Sequence, residues 1–134
     1  MLIALIGCGK EKIDGPAPAL ALYTGALFKA HRAYAEKRGA MIMILSAKYG
    51  LIDAAQIIVR YDFRLSDLSK YERDAWNERV LSVLARYPIT AELLILAGTD
   101  YLGWCPRARQ RITDPIGRLP IGLRLRKLKV LNAI

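Results

Sequence analysis

Three short apolar runs punctuate the chain, and each stops at a glycine or a small polar loop. Met1–Ile6 is apolar throughout and ends at Gly7, Ala40–Leu45 (AMIMIL) ends at Ser46, and Glu92–Ala97 (ELLILA) ends at Gly98. A short continuous apolar run predicts a strand buried on both faces, the habit of parallel sheets. Between these runs the period changes. From Thr24 to Arg38, Leu27, Ala30 and Tyr34 recur at three- and four-residue steps. That spacing predicts a helix, with the Thr24 hydroxyl as its cap and Gly39 as its stop. Ser69-Lys70-Tyr71-Glu72 matches a capping box, and the amphipathic run behind it carries Trp76, Val80, Leu81 and Leu84 as far as Tyr87-Pro88. Ile57–Leu65 alternates only in part, which predicts an edge strand or an extended loop. Gly15-Pro16-Ala17-Pro18 is read as a loop, and the chain from Pro120 as a basic helix with Leu123, Leu128 and Leu131 between cations.

Strands alternating with helices predict a single α/β domain over residues 1–134: a three-layer-type fold with a short, mostly parallel sheet flanked by helices. In open α/β sheets the ligand crevice lies beyond the carboxyl ends of the strands. Three loops are expected to converge there: Gly7–Lys12 with Gly7, Cys8, Gly9, Lys10 and Lys12; Ser46–Gly50 with Ser46, Lys48, Tyr49 and Gly50; and Gly98–Tyr101. A glycine at a strand end often does no more than make the turn. Three such loops on one edge nevertheless make that edge the candidate site.

Composition narrows the classes. No run approaches the roughly 18 apolar residues that cross a bilayer, so a soluble protein is expected. Leu5-Ile6-Gly7-Cys8 resembles a bacterial lipobox, yet nothing basic precedes it and the run is shorter than an apolar signal region of about 7–15 residues. Two distant cysteines, Cys8 and Cys105, and one histidine, His31, offer no metal-ligand spacing and no disulfide framework. A cytoplasmic protein without metal or cofactor is the expectation. The net charge of +9 is concentrated near the C-terminus. Residues 106–134 carry eight cations (Arg107, Arg109, Arg111, Arg118, Arg124, Arg126, Lys127 and Lys129) against Asp114 alone, so +7; the remainder carries 13 against 11, so +2. Such a segment is the footprint of a polyanion partner, here nucleic acid with DNA favoured over RNA; a solubilising face or a membrane-surface helix is the plainer alternative.

Several segments resemble a known group. Gly7-Cys8-Gly9-Lys10-Glu11-Lys12 resembles the C-S-x-x-K loop of a family of small bacterial and phage proteins. Leu22-Tyr23-Thr24-Gly25-Ala26-Leu27-Phe28 is similar to their Y-x-G-x-L-F element, and Leu119-Pro120-Ile121-Gly122 to their closing helix start. The most specific part is Leu45-Ser46-Ala47-Lys48-Tyr49-Gly50-Leu51-Ile52 with Tyr61-Asp62-Phe63-Arg64-Leu65. It is similar to the signature of YaaA-type peroxide-stress proteins. The resemblance implies an α/β fold shared with a domain of archaeosine synthase and, more remotely, with uracil-DNA glycosylases. It thereby implies a nucleic acid or modified base as ligand. Gly9 stands where the family has serine, so no hydroxyl role carries over to it.

Within these segments Asp62 is the acid of choice, because partial burial between Tyr61 and Phe63 would raise its pKa and suit it to activate water. An aspartate bonded to a loop backbone is the alternative. Lys10, Lys12 and Lys48 could stabilise a phosphate or a departing base by point charge. Cys8 is a candidate nucleophile that would want a neighbouring base. Tyr49, Tyr61 and Tyr101 could stack on a base. Three readings follow: a glycosylase-like hydrolase of a modified or damaged base, which flips its target; a non-catalytic DNA-binding stress or phage-defence protein; and a small-molecule nucleotide enzyme whose tail serves oligomerisation.

Overall fold

The run at the N-terminus forms β1 (Leu2–Gly7), and Ile3, Ala4, Leu5 and Ile6 are wholly buried. Burying each Leu or Ile contributes about 1.5–3 kcal/mol, which makes β1 the natural centre of a sheet. A computed structural model describing all 134 residues shows this arrangement. The short β2 (Ala17–Pro18) and α1 (Ala19–Leu22) precede α2 (Ala26–Lys37). There follow β3 (Met41–Ser46), β4 (Gly50–Asp53), β5 (Ile57–Ile58), α3 (Lys70–Leu84), β6 (Glu92–Leu96), β7 (Arg111–Thr113) and α4 (Ile121–Asn132). The main sheet has the order β4-β3-β1-β6-β7, parallel throughout except where β4 returns antiparallel along β3. The chain is thus a single α/β domain with a mostly parallel five-stranded sheet and flanking helices: α2 lies against β1, β3 and α4, and α3 against β4.

Two expectations need correction, at Thr24 and at Ser46–Gly50, and the open choice at Ile57–Leu65 is resolved. Thr24 does not cap α2; Gly25 occupies that position without a side-chain bond. The Thr24 amide instead donates to the Glu11 carbonyl, in an extended pairing with the loop after β1. Of Ile57–Leu65 only Ile57 and Ile58 form a strand, paired with β2 away from the main sheet. The segment Ser46–Gly50 is not an open strand-end loop but a tight return from β3 into β4, closed by Gly50 at a φ of +78°. Only glycine takes that conformation at little cost. The capping box at α3 forms as expected, with the Glu72 amide donating to Ser69 Oγ at 3.1 Å and the Ser69 amide to Glu72 Oε1 at 3.0 Å.

The helix from Pro120 also forms, but its first cation is not on the surface. Arg124 is 3% exposed and donates to His31 Nε2 at 2.8 Å and to the Gly117 carbonyl at 2.8 Å. It joins α4 to α2 and so leaves the set of side chains available to a polyanion. Burial, then the Arg124 charge, lowers the His31 pKa to about 3. An unfolded histidine takes up its proton near 6.5. Between those values the unfolded chain binds the extra proton, so stability falls as the pH drops, by up to about 1.4 kcal/mol per unit. Urea midpoints should therefore decline between pH 7 and 5. His31→Gln, which keeps an acceptor for Arg124, should flatten that decline; parallel profiles would show that His31 is not its source.

Candidate functional site

The neighbours β1 and β6 send their chains to opposite sides: β1 continues toward β3, and β6 toward β7. This is the switch point of the sheet, where α/β proteins open a crevice. The two loops meet across it, with Cys8 Sγ and the Tyr101 hydroxyl 3.0 Å apart. Gly7 is needed immediately beneath, because a Cβ there would stand 3.0 Å from the Ala97 Cβ.

A cleft of about 850 Å³ opens above this contact. Its walls are the loop Cys8–Lys12, Thr24, the segment from Arg60 to Asp67, and Asp100 with Tyr101. The Arg60–Leu65 stretch is extended and alternates: Tyr61 and Leu65 are buried in the core, whereas Arg60, Asp62 and Arg64 are exposed on the cleft side. Arg60 Nε donates to Asp62 Oδ1 at 3.2 Å and Arg60 Nη1 to the Lys12 carbonyl at 2.7 Å. One guanidinium therefore holds both walls together. Four cations (Lys10, Lys12, Arg60 and Arg64) face four carboxylates (Glu11, Asp62, Asp67 and Asp100), so the cleft itself carries no net charge.

Beneath the cleft lies a network of hydroxyls. The Tyr61 hydroxyl lies 2.8 Å from that of Tyr23 and 2.9 Å from Ser46 Oγ, which also accepts from the Tyr49 amide at 3.1 Å. Trp76 of α3 donates to the Ser46 carbonyl at 2.8 Å, anchoring the end of β3 from the other side. Burial, reinforced by the nearby Cys8, pushes the Tyr23 phenol up to about 12 and holds Tyr61 and Tyr101 well above the usual range. All three are therefore neutral hydrogen-bond donors at physiological pH. The Lys12 ammonium stands 4.7 Å from the Tyr61 ring centroid and 5.9 Å from that of Tyr23. Burial lowers its pKa, while Cys8 and Asp62 oppose that shift.

Of the residues expected from sequence, Cys8, Gly9, Lys10, Lys12, Asp62 and Tyr101 line the cleft. Gly7, Ser46 and Tyr61 support it from below. Asp62 is not buried as expected: its side chain is 78% exposed and paired with Arg60. Tyr61 is 6% exposed, and its hydroxyl is committed to the network, so it is not an open stacking platform. Lys48, Tyr49 and Gly50 turn away. Arg79 of α3 donates to the Lys48 carbonyl at 3.3 Å, and the Tyr49 hydroxyl meets the Val59 backbone. Gly98 begins the single 3₁₀ turn Thr99–Tyr101 that brings Tyr101 back toward Cys8. None of the eight tail cations lines the cleft. Arg107 pairs with Glu78, Arg118 with Asp114 at 2.7 Å, and Arg111 lies on the edge strand β7. Sequence reasoning missed Arg60 and Arg64, although the alternation R-Y-D-F-R-L already put them on the face of Asp62. No three His, Cys, Asp or Glu side chains come together as metal ligands.

Fold and cleft define a single-domain α/β protein with a polar site at its switch point. The chain belongs to a family of unknown function, DUF6884, whose family model matches residues 3–130. No curated protein and no solved structure matches it.

The hydroxyl network has a measurable consequence. Tyr61→Phe keeps the ring but leaves the buried Tyr23 hydroxyl without its partner, and should cost about 1–3 kcal/mol in urea denaturation. A loss below about 0.5 kcal/mol would mean that water replaces the missing hydroxyl without penalty.

Proposed function

We propose that this protein is a hydrolase of the N-glycosidic bond of a modified or damaged base in DNA. The observation that carries the reading is a carboxylate, Asp62, set beside two arginines and two lysines in one cleft at the switch point. Breaking a glycosidic bond builds positive charge on the sugar and negative charge on the leaving base. The sugar side requires a carboxylate to stabilise that charge or to direct water, and the base side requires a cation or a donor. Asp62 answers the first need. Lys10, Lys12 and the Tyr101 hydroxyl answer the second. The volume, about 850 Å³, accommodates a flipped nucleotide and its neighbouring phosphates. Arg60 and Arg64 beside Asp62 are suited to those phosphates. The similarity of the Leu45–Ile52 and Tyr61–Leu65 segments to YaaA-type proteins, which implies a fold shared more remotely with uracil-DNA glycosylases, supports the same substrate class.

Asp62→Asn should reduce base release at least about 100-fold and leave affinity for the same DNA within about threefold. The assay is abasic-site formation on oligonucleotides carrying uracil, hydroxymethylated bases or deazaguanines. Complete absence of abasic sites from this panel would remove the hydrolase reading. The exposure of Asp62 favours one alternative, DNA binding without turnover, and retained affinity without base release would select it.

Phosphate binding away from the cleft falls to exposed cations of α4. Deleting the helix is a poor test, since Arg124 and Leu128 are part of the buried structure. Replacing Arg126, Lys127 and Lys129 together by glutamine preserves those residues. The slope of log affinity against log salt should then shrink by up to about 0.9 for each phosphate that these side chains neutralise, measured by fluorescence anisotropy. An unchanged slope would take α4 out of the DNA-binding surface.

A further inference from the structure

Lys12 has a placement that charge neutralisation alone does not explain. Its ammonium is drawn back over the Tyr61 ring and donates to the Lys10 carbonyl at 3.1 Å. It still lines the cleft, together with Cys8 and Asp62. Arg60 ties the Lys12 backbone to the Asp62 carboxylate through its two hydrogen bonds, so the two residues stand on facing walls of one cleft. Burial works against the charged form of the amine and outweighs the opposing pull of Cys8 and Asp62. A lysine amine held partly out of water in a cleft is suited to attack carbonyl carbon, and Asp62 in the same cleft is a base for the proton transfer that follows.

We infer that Lys12 is an amine nucleophile that forms an imine with the sugar of an abasic site, giving the protein a strand-cleaving lyase activity. The inference rests on the reading of the cleft as a DNA sugar site. In the ring-opened abasic sugar C1′ is an aldehyde. The neutral Lys12 amine adds to it, and the resulting carbinolamine loses water to form the imine. Asp62 removes a proton from C2′, and the electron pair moves to expel the phosphate at C3′. Water then hydrolyses the imine, freeing Lys12 and the unsaturated aldehyde. No oxidant or reductant is consumed.

The test uses the full chain and an oligonucleotide with a preformed abasic site, incubated with sodium borohydride, which reduces an imine to a stable secondary amine. Wild-type protein should give a covalent protein–DNA adduct, and peptide mass spectrometry should locate it on Lys12. Lys12→Arg keeps the charge and the position over Tyr61, and should lower the adduct yield at least tenfold. The same change at Lys29, exposed on α2 and outside the cleft, should leave the yield within twofold. An adduct on the Met1 amine or on another lysine would overturn the inference, as would no adduct at all. Because the abasic site is supplied ready-made, the two readings fail separately. Base release without an adduct removes the lyase and spares the hydrolase, whereas an adduct on Lys12 without base release does the reverse.

Discussion

The architecture depends on the burial of β1. Its four central residues have no solvent exposure, and both of its edges are paired, to β3 and to β6. Such a strand can carry no unpaired polar side chain along its length, because each would cost free energy without a partner. Polar chemistry is therefore displaced to the point where the strand ends, and Gly7 is where pairing stops. From there Cys8, Lys10 and Lys12 emerge beside Tyr101 of the loop after β6, a strand that runs parallel to β1 and ends level with it. Burial of the sheet and position of the cleft are two results of one constraint.

The hydroxyl network answers a second demand of the same packing. Tyr23, Ser46 and Tyr61 come from three separate segments, and their hydroxyls lie in the dry region under the cleft. Each supplies a partner for another, and this reciprocal arrangement fixes the Arg60–Leu65 stretch on the body of the protein. The alternation of that stretch then dictates which side chains face outward. Tyr61 and Leu65 are used for anchoring, and Arg60, Asp62 and Arg64 remain for the cleft. Anchoring and cleft lining divide between alternate residues of one short segment.

Charge is organised differently from its linear distribution. The C-terminal 29 residues hold most of the excess, yet Arg124 is consumed in joining α4 to α2, and Arg107 and Arg118 are paired with acids. The cleft draws its cations from the loop after β1 and from the Arg60–Arg64 stretch, where acids balance them. A linear charge count measures what a segment carries, and folding decides how much of it faces a partner.

The sequence by itself determined β1, β3 and β6, because apolar runs that end abruptly at glycine or serine have few other solutions; the edge strands β4 and β7 carry no such run. It determined the parallel arrangement through the alternation of strand and helix, and it singled out the loops after β1 and β6, which line the cleft. It also held the capping box of α3, since that motif is local. What only the tertiary structure decided were the long-range relations: that Ser46–Gly50 turns back as a hairpin, that Thr24 is claimed by Glu11 before it can cap a helix, and that Arg124 is buried against His31. Each of these is settled by a partner between 13 and 93 residues away or by an adjoining antiparallel strand, and no local pattern encodes such a partner. Asp62 shows the same division. Its neighbours marked it as a candidate, but its exposure and its pairing with Arg60 arose only when Tyr61 found Tyr23 and Ser46.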